Sequence, residues 1–323
     1  MYEHSNTWAL VLAAGDGSRL KSLTTSPSGA NIPKQFCSLR DGPSLLHDAL
    51  HRAHNVSSSP RTCVVVAEQH RRWWQPLLEP LPPANIIVQP SNRGTGNGIL
   101  LPLLHIVERD PSAHIAILPS DHHVRSEAVL LRSLHQALEQ LPERPDETVL
   151  LGLEPEETDP ELGYIVPGRS DNRGVLAVQQ FIEKPPISTA RELINVGGLW
   201  NAFILAASAQ ALLALFRRRV PEIVREMSAA VQSDRAMPEG ARALGELYAR
   251  LPSLDFSRDV LPWQEAYLRV LRVPKCGWSD LGTPRRVAAA LRRVVDGPRV
   301  TAPPVGTAYL NLAAQIDLLQ AAG

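Results

Sequence analysis

The sequence predicts an α/β fold in which a mostly parallel sheet carries helices on both faces. Two observations support this. Short apolar runs beginning at Trp8, Thr62 and His114 alternate with amphipathic stretches such as Leu45 to Val56, an order that favours parallel strands joined by crossover helices. The run at Trp8 also stops at a Gly-x-Gly loop, as a central strand does where it delivers a phosphate-binding loop.

Length and composition limit the possible partners. At 323 residues the chain can bury one large core or two modest domains. Its 33 basic and 33 acidic residues balance, which argues against a nucleic-acid or anionic-membrane partner. Three widely spaced cysteines are typical of a reducing cytosol. Because no apolar run approaches the roughly 18 residues of a membrane span, we expect a soluble, cytoplasmic protein that acts on small molecules.

The sequence changes in character after about residue 153. A Pro- and Glu-rich connection leads to Gly163-Tyr-Ile165, a turn near Asp171 to Gly174, and a predicted strand at Val175 to Glu183. We expect residues 154–206 to form a small antiparallel flap at the carboxyl edge of the sheet. A helical region from Leu205 to about Arg250 is predicted to follow it.

The loop after the first strand, Ala14-Gly-Asp-Gly-Ser-Arg-Leu20, is the first candidate site. Glycines let a backbone approach phosphate oxygens closely. A dinucleotide fingerprint needs a third glycine where Leu20 stands, and a P-loop needs Gly-Lys-Ser/Thr at its end, so neither fits. The remaining pattern, with Arg19 in the loop and Lys34 after a proline, suits a polyphosphate. An ordinary strand-to-helix turn is the alternative.

Two motifs together carry a family resemblance. Gly15-Asp-Gly-Ser-Arg-Leu20 followed by Pro33-Lys-Gln-Phe36 resembles the signature of the sugar-1-phosphate nucleotidyltransferases, and Lys-Gln-Phe is similar to the mannose-1-phosphate guanylyltransferases among them. The resemblance implies a Rossmann-like sheet of the nucleotide-diphospho-sugar transferase type over residues 1–290. Residues 291–323 would then form a short, partly helical tail, a candidate contact in a homo-oligomer. The chain departs from the family in the longer spacing between Arg19 and Lys34.

Gln89-Pro-Ser-Asn-Arg-Gly-Thr95 follows another predicted strand, where ligands lie in open α/β sheets. From the residues alone, a polar turn with a threonine cap is the simpler interpretation. The segment resembles the nucleobase loop of the guanylyltransferases, although Gly96-Asn97 stands where the family tends to have Ala-Pro. The resemblance implies a nucleotide site formed by Ala14, Gly15, Gly17, Gln89, Asn92, Gly94 and Thr95.

Two aspartates are candidate metal ligands. Asp121 follows a predicted strand, where a carboxylate can hold Mg²⁺ against phosphate oxygens. The adjacent His122 and His123 have no partners at ligand spacing and are more simply hydrogen-bonded or solvated. Asp280, within Gly277-Trp-Ser-Asp-Leu-Gly-Thr283, could simply cap a helix. Both segments resemble the metal-binding segments of the family, which implies that Asp121 and Asp280 hold the cofactor Mg²⁺.

The flap region supplies the candidate sugar site. Glu183 and Lys184 stand side by side, and a surface ion pair is the alternative to a site. Three segments resemble sugar-pocket elements of the family: Gly163-Tyr164, Glu183-Lys-Pro185 and Leu199 to Phe203. In the third, Ala202-Phe203 replaces the usual Ser-Gly after Asn201. The resemblance implies sugar contacts from Gly163, Tyr164, Glu183 and Asn201. Ser253 to Ser257 is also similar to a family segment, but its continuation differs and no role is assigned to it.

The resemblance implies an in-line displacement in which a sugar 1-phosphate attacks the α-phosphorus of a nucleoside triphosphate. Arg19 would bind the β,γ-phosphates, Lys34 the transferring region and Lys184 the sugar phosphate. The expected substrates are GTP and mannose 1-phosphate. Two alternatives stay open, namely UTP or dTTP with glucose 1-phosphate, and a non-catalytic relative that binds nucleotide sugars and regulates a partner.

Overall fold

The computed structural model describes residues 6–26, 28–237, 242–294 and 310–321. Its strands are β1 (Thr7–Ala13), β2 (Thr62–Ala67), β3 (Ile86–Gln89), β4 (His114–Pro119), β5 (His123–Val124), β6 (Thr148–Leu153), β7 (Gly163–Ser170), β8 (Val175–Glu183), β9 (Leu199–Ser208), β10 (Leu268–Val273) and β11 (Trp278–Ser279). Its α-helices are α1 (Lys21–Thr24), α2 (Leu45–His54), α3 (Arg71–Leu78), α4 (Gly94–Arg109), α5 (Glu127–Gln140), α6 (Ile187–Asn195), α7 (Ala209–Arg219), α8 (Pro221–Ala236), α9 (Ala243–Arg250), α10 (Pro284–Val294) and α11 (Leu312–Ala321).

In these residues one nine-stranded sheet runs in the order β3-β2-β1-β4-β9-β6-β10-β8-β7. Strands β3, β2, β1 and β4 are parallel, and β10 is parallel to β6. Strand β9 lies antiparallel between β4 and β6. The predicted mostly parallel α/β sheet is therefore confirmed, with β9 and the β7–β8 hairpin as its antiparallel parts.

Helices cover both faces of the sheet because its central strands are apolar on both sides. In β1, Ala9 and Val11 face the layer that contains α2, α3, α5 and α10, whereas Trp8 and Leu10 face the layer of α4, α7, α8 and α9. Side chains alternate between the faces of a strand, so an unbroken apolar run fills both layers. None of the described helices is both long and apolar enough to cross a membrane.

The predicted helix from Leu205 is wrong over its first residues. Leu205 to Ser208 complete β9, where Leu205 pairs with Ile117 on one side and with Leu150 on the other. A short apolar run without clear periodicity fits a buried strand as well as a buried helix, and its neighbours in the sheet decide. Helix α7 begins only after Ser208, whose hydroxyl caps it by accepting a hydrogen bond from Ala211 N at 2.9 Å.

Within the predicted flap, residues 154–206, the β7–β8 hairpin is antiparallel and belongs to the central sheet. The same range also contains α6 and most of β9, which lies between β4 and β6. Strand β7 pairs with both β8 and β9, so Gly163 lies opposite Glu183 while Tyr164 pairs with Trp200. Asn201 pairs with Gly152 near the end of β6. The sugar-site candidates are thereby joined to the edge of the sheet where the parallel strands end.

The tail contains the predicted helix, α11. It packs on the same chain, with Leu312 N donating to Ser38 O at 3.0 Å and with Leu312 and Ile316 in the core. The expected tail was to begin at residue 291, but residues 291–294 complete α10. Residues 295–309 and 322–323 lie outside the described residues. The oligomer contact expected there stays a prediction.

A close approach of Gly94 to the backbone of Leu254 fixes the start of α4. Gly94 has φ +85°, and a Cβ there would lie 2.4 Å from Leu254 O. Gly174 has a similar φ of +77° but open space around it. We expect Gly174→Ala to lower the free energy of unfolding by about 1 kcal/mol, and Gly94→Ala by about 3 kcal/mol because it adds a backbone clash to the strain. If urea denaturation shows that both variants lose the same free energy of unfolding, the close contact at Gly94 is contradicted.

Candidate active site

A cleft of about 370 Å³ opens at the carboxyl edge of β1, β3 and β4. It lies where ligands bind in open α/β sheets. Fourteen of the sixteen predicted site residues line it: Ala14, Gly15, Gly17, Arg19, Gln89, Asn92, Gly94, Thr95, Asp121, Gly163, Glu183, Lys184, Asn201 and Asp280. Lys34 lies beneath the surface of the cleft, and the Tyr164 side chain lies elsewhere.

Lys34 connects the two candidate metal-binding segments. Its side chain is only 5% exposed, and its Nζ lies 2.9 Å from Asp121 Oδ2. The same Nζ donates to the backbone carbonyl of Asp280 at 2.5 Å. A buried ammonium is stable only when paired and hydrogen-bonded, so these contacts hold Lys34, Asp121 and Asp280 in one arrangement.

Hydrogen bonds of Gln35 and Asp16 hold the glycine loop in place. Gln35 Nε2 donates to Ala13 O at 3.0 Å and to Gly15 O at 2.8 Å. The Asp16 carboxylate accepts from Gln69 Nε2 at 2.7 Å and from Asn92 Nδ2 at 2.9 Å. Sequence reasoning missed both Asp16 and Gln35, although each lies within a motif it used. Their role is to shape the loop and to join it to the nucleobase loop.

The long segment between Arg19 and Lys34 folds into a compact excursion. It contains the short helix α1 and a turn in which Ser26 N donates to Ala30 O at 2.8 Å, closed by a bridge between Thr25 and Asn31. The extra residues therefore leave Arg19 in the lining of the cleft and Lys34 buried against Asp121.

The candidate nucleobase loop leaves one buried donor available. Gln89 Oε1 accepts from Tyr248 OH at 3.1 Å, but its Nε2 has no hydrogen-bond partner among the described residues. Asn92 is committed to the loop itself, since its Oδ1 accepts from Gly94 N at 3.0 Å. Thr95 Oγ1 accepts from Phe256 N at 2.9 Å. An unpaired buried donor is costly, which marks Gln89 Nε2 as the group best suited to a ligand.

Backbone and side-chain hydrogen bonds anchor Gly96-Asn97, the dipeptide that stands where the family tends to have Ala-Pro. Asn97 is fully buried, and its Nδ2 donates to Arg93 O at 2.7 Å and to Pro252 O at 3.0 Å. Gly96 N donates to Leu254 O at 2.7 Å. These hydrogen bonds connect the start of α4 to the segment that follows α9.

That segment contributes two residues that sequence reasoning left unassigned. Asp255 and Ser257 line the cleft, at the start of a π-helical turn spanning Phe256–Val260. Ser257 Oγ accepts from Asn201 Nδ2 at 3.4 Å. Asp255 lies close enough to Glu183 to affect its ionisation. The resemblance of Ser253 to Ser257 to a family segment was the signal that could have found them.

Glu183 lies against a glycine in the cleft. A Cβ on Gly163 would lie 2.5 Å from Glu183 Oε2, so a side chain at position 163 would displace this carboxyl. Burial, reinforced by the nearby Asp255 carboxylate, raises the pKa of Glu183 to about 7. Both ionisation states of this group are therefore accessible near neutral pH.

Phe203 stands where the family usually has glycine, and it keeps the glycine-like backbone. Its φ is +56°, and its N–H donates to Asn201 Oδ1 at 3.0 Å. The ring lines the cleft and meets Phe256 edge-on, with 6.0 Å between centroids. Phe203 thus adopts, within β9, a backbone conformation that favours glycine, at the cost of a strained residue.

The structure corrects the prediction for Tyr164. Its side chain is fully buried, and its hydroxyl donates to Asp159 O at 3.0 Å and accepts from Asp159 N at 3.1 Å. Successive side chains of a strand point to opposite faces, so Gly163 at the cleft places Tyr164 in the core. The resemblance found the right strand but not the face on which each side chain lies.

Glu161 links two of the predicted phosphate-binding cations. Its Oε2 lies 3.6 Å from Arg19 Nη1 and 4.0 Å from Lys184 Nζ. All three side chains are substantially exposed, so these ion pairs contribute little to stability. A phosphate can therefore replace the Glu161 carboxylate at low cost. Sequence reasoning missed Glu161.

The residues around Asp121 and Asp280 fit a shared magnesium site. Burial opposes ionisation of both carboxyls, but Lys34 beside Asp121 and Arg286 beside Asp280 hold their pKa values below the usual range. Within the described residues, no three His, Cys, Asp or Glu side chains cluster as a complete metal site. Mg²⁺ commonly uses one or two carboxylates together with substrate phosphates and water, so two aspartates would suffice if the cleft binds phosphates.

His122 is hydrogen-bonded, as expected from the sequence. Trp278 Nε1 donates to His122 Nδ1 at 3.3 Å, and the two rings meet edge-on. Burial lowers the pKa of His122 to about 4 despite the nearby Asp121 carboxylate. The imidazole is thus neutral and supports Trp278 in the wall of the cleft.

Comparisons with known proteins show which proteins the chain is similar to. The family model described as "Nucleotidyl transferase" matches residues 8–296. A "Putative mannose-1-phosphate guanylyltransferase" of Vibrio cholerae is 26% identical over 284 residues, which cover 85% of this chain and 58% of the relative. A "Mannose-1-phosphate guanylyltransferase" of Salmonella muenchen is 28% identical over 282 residues, covering 85% and 57%. The chain thus spans less than two thirds of these relatives.

Solved structures share the fold. A crystal structure of "mannose-1-phosphate geranyltransferase" from Thermus thermophilus superposes with a TM-score of 0.74 and 28% identity, over 91% of this chain and 80% of that one. A putative glucose-1-phosphate thymidylyltransferase from Bacillus anthracis, 13% identical, has a TM-score of 0.58 over 91% of this chain and 98% of that one, which shows similarity of fold alone. From its match to the family model over residues 8–296, the chain belongs to the nucleotidyl transferase family.

Proposed function

We propose that the chain transfers the guanylyl group of GTP to mannose 1-phosphate, giving GDP-mannose and pyrophosphate, with Mg²⁺ as cofactor. One observation carries the proposal. A single cleft holds a glycine loop with a guanidinium, a polar loop with an available donor, and a sugar-site strand pair around the buried Lys34–Asp121 contact. The names of the relatives support guanine as the base and mannose as the sugar.

The reaction proposed is one in-line displacement. A phosphate oxygen of mannose 1-phosphate forms a bond to the α-phosphorus of GTP, the bond from that phosphorus to the α,β-bridging oxygen breaks, and pyrophosphate leaves with the electron pair. Arg19 binds the β,γ-phosphates, Lys34 neutralises charge near the α-phosphate, and Lys184 binds the sugar phosphate. Such catalysis depends on positioning and charge neutralisation.

The two aspartates, Asp121 and Asp280, would hold Mg²⁺. When bound, the ion supplies further charge neutralisation at the phosphate oxygens. Lys34 keeps both segments in place through its contacts with the Asp121 carboxylate and the Asp280 carbonyl.

Gln89 is the residue proposed to recognise the base. Its unpaired Nε2 can donate to the O6 acceptor of guanine, whereas adenine presents a donor at the same place. A mismatched buried donor costs about 1 to 3 kcal/mol, enough for roughly tenfold discrimination or more.

A nucleotide panel tests the proposed function. Pyrophosphate release should require mannose 1-phosphate, and kcat/KM should be greater with GTP than with ATP, UTP, CTP or dTTP by about tenfold or more. Gln89→Leu should reduce the preference for GTP over ATP. If UTP or dTTP is the better substrate, the base assignment is wrong. If no triphosphate is consumed, the enzymatic function is wrong.

Lys184→Ala and Lys34→Ala should have different kinetic effects. Because Lys184 is proposed to bind only the sugar phosphate, its loss should raise KM for mannose 1-phosphate more than KM for GTP. Lys34→Ala should mainly lower kcat, by about 100-fold, as loss of one transition-state stabiliser does. Lys275→Ala, an exposed change outside the cleft, is the matched control. Identical defects in the two cleft variants would refute this division of roles.

The Glu183 carboxyl predicts a pH dependence. Its pKa of about 7 means that Glu183 is mostly protonated at pH 6 and mostly ionised at pH 8. The ionised form is the stronger acceptor for sugar hydroxyls, so kcat/KM for mannose 1-phosphate should rise with pH. The ratio of wild type to Glu183→Gln should increase by up to about tenfold over this range. A ratio that does not change with pH would exclude this carboxyl as a sugar acceptor.

A further inference from the structure

Arg286, on α10, is buried between two carboxylates. Its Nη1 donates to both oxygens of Asp280, at 2.6 and 2.7 Å, and its Nη2 pairs with Asp159. The Arg286 side chain is 12% exposed, so water screens these contacts poorly. Gly282 N also donates to Asp280 Oδ1 at 3.0 Å. Both oxygens of the carboxylate proposed to hold the cation thus already accept a hydrogen bond.

Asp121 has an equivalent partner in Lys34. The Lys34 Nζ lies 2.9 Å from Asp121 Oδ2, and its side chain is 5% exposed. Each proposed metal carboxylate is therefore paired with its own cation from elsewhere in the chain. Arg286 is shared between Asp280 and Asp159, so the three carboxylates Asp121, Asp159 and Asp280 and the two cations Lys34 and Arg286 carry a formal charge of −1.

Two carboxylates that each already contact a cation attract a free divalent cation more weakly than two unpaired carboxylates do. Mg²⁺ gives up its water reluctantly, so it needs strong negative charge to bind directly to protein. Here the field of each carboxylate is offset by a cation in contact with it. A triphosphate in the cleft would add several negative charges and fresh oxygen ligands beside the two aspartates.

We propose that Arg286 is a positioning residue that stands in for the metal at Asp280, so that a divalent cation binds between Asp121 and Asp280 only together with the nucleotide. This inference rests on the proposed nucleotide and metal assignment. While no nucleotide is bound, Arg286 keeps the buried Asp280 compensated and correctly oriented. When nucleotide and cation arrive together, one lone pair of Asp280 Oδ2 is available, because Arg286 Nη1 takes only one of its acceptor sites.

Cation binding measured without turnover tests this. Mn²⁺ binding to the full chain would be followed by electron paramagnetic resonance, with and without a GTP analogue whose α,β-bridge is a methylene. Titration of the analogue alone gives the baseline. The wild type should bind Mn²⁺ about tenfold or more tightly when the analogue is present. Equally tight binding without nucleotide would overturn the proposal.

The variants separate charge from packing. Arg286→Gln should strengthen nucleotide-free Mn²⁺ binding by about tenfold, because Asp280 loses its counter-charge. Arg286→Lys keeps the charge and should retain the nucleotide requirement. Arg285→Gln removes the same charge from the neighbouring position, where the side chain is 81% exposed and pairs with Glu157, and should change nothing. Nucleotide-free affinity that is the same in Arg286→Gln and the wild type would refute the role of Arg286.

These measurements also distinguish this inference from the proposed function. If GTP is not turned over but the analogue still promotes Mn²⁺ binding, the inference stands and the catalytic proposal fails. If turnover occurs while Mn²⁺ binds tightly without nucleotide, the catalytic proposal stands and the inference fails.

Discussion

The site depends on the buried contact between the Lys34 ammonium and the Asp121 carboxylate. The same ammonium reaches the backbone carbonyl of Asp280, so the segments after β1, β4 and β10 meet at one atom. Removing Asp121 would leave the buried Lys34 ammonium without its counter-charge, which is strongly destabilising. The constraint also explains Gly17, since a Cβ there would lie 2.9 Å from Lys34 N. The close packing of the glycine loop against Lys34 thus depends on the absence of a side chain at Gly17 as well as on the ion pair of Lys34 with Asp121.

Much of the site could be predicted because parallel strands bring their carboxyl ends to one edge. The glycine loop, the Gln89 loop and Asp121 each follow such a strand, and their convergence needed no knowledge of side-chain contacts. The Tyr164 side chain was misassigned because a motif does not specify which face of a strand each residue occupies. Arg286 could not have been found, because its role depends on the contact of a helix with the turn before it.

Backbone strain is concentrated around the cleft. The described residues contain four non-glycine residues with positive φ, and three of them are Lys184, Phe203 and Leu281. Lys184 and Phe203 line the cleft, and Leu281 follows Asp280 directly. Such conformations cost on the order of 1 to 3 kcal/mol each and persist where the surroundings impose them. At these positions the chain maintains a fixed site geometry at the expense of stability.

In the proposed reaction the cleft holds charges in position, and Lys34 acts as a paired ammonium and not as a nucleophile. The stereochemical course at the α-phosphorus tests it most directly. One diastereomer of guanosine 5′-(1-thiotriphosphate) would be converted with mannose 1-phosphate, and the configuration of the thio-substituted GDP-mannose determined by phosphorus NMR. A single in-line displacement predicts inversion. Retention would indicate two successive displacements through a guanylylated side chain, and would contradict the electrostatic role of Lys34.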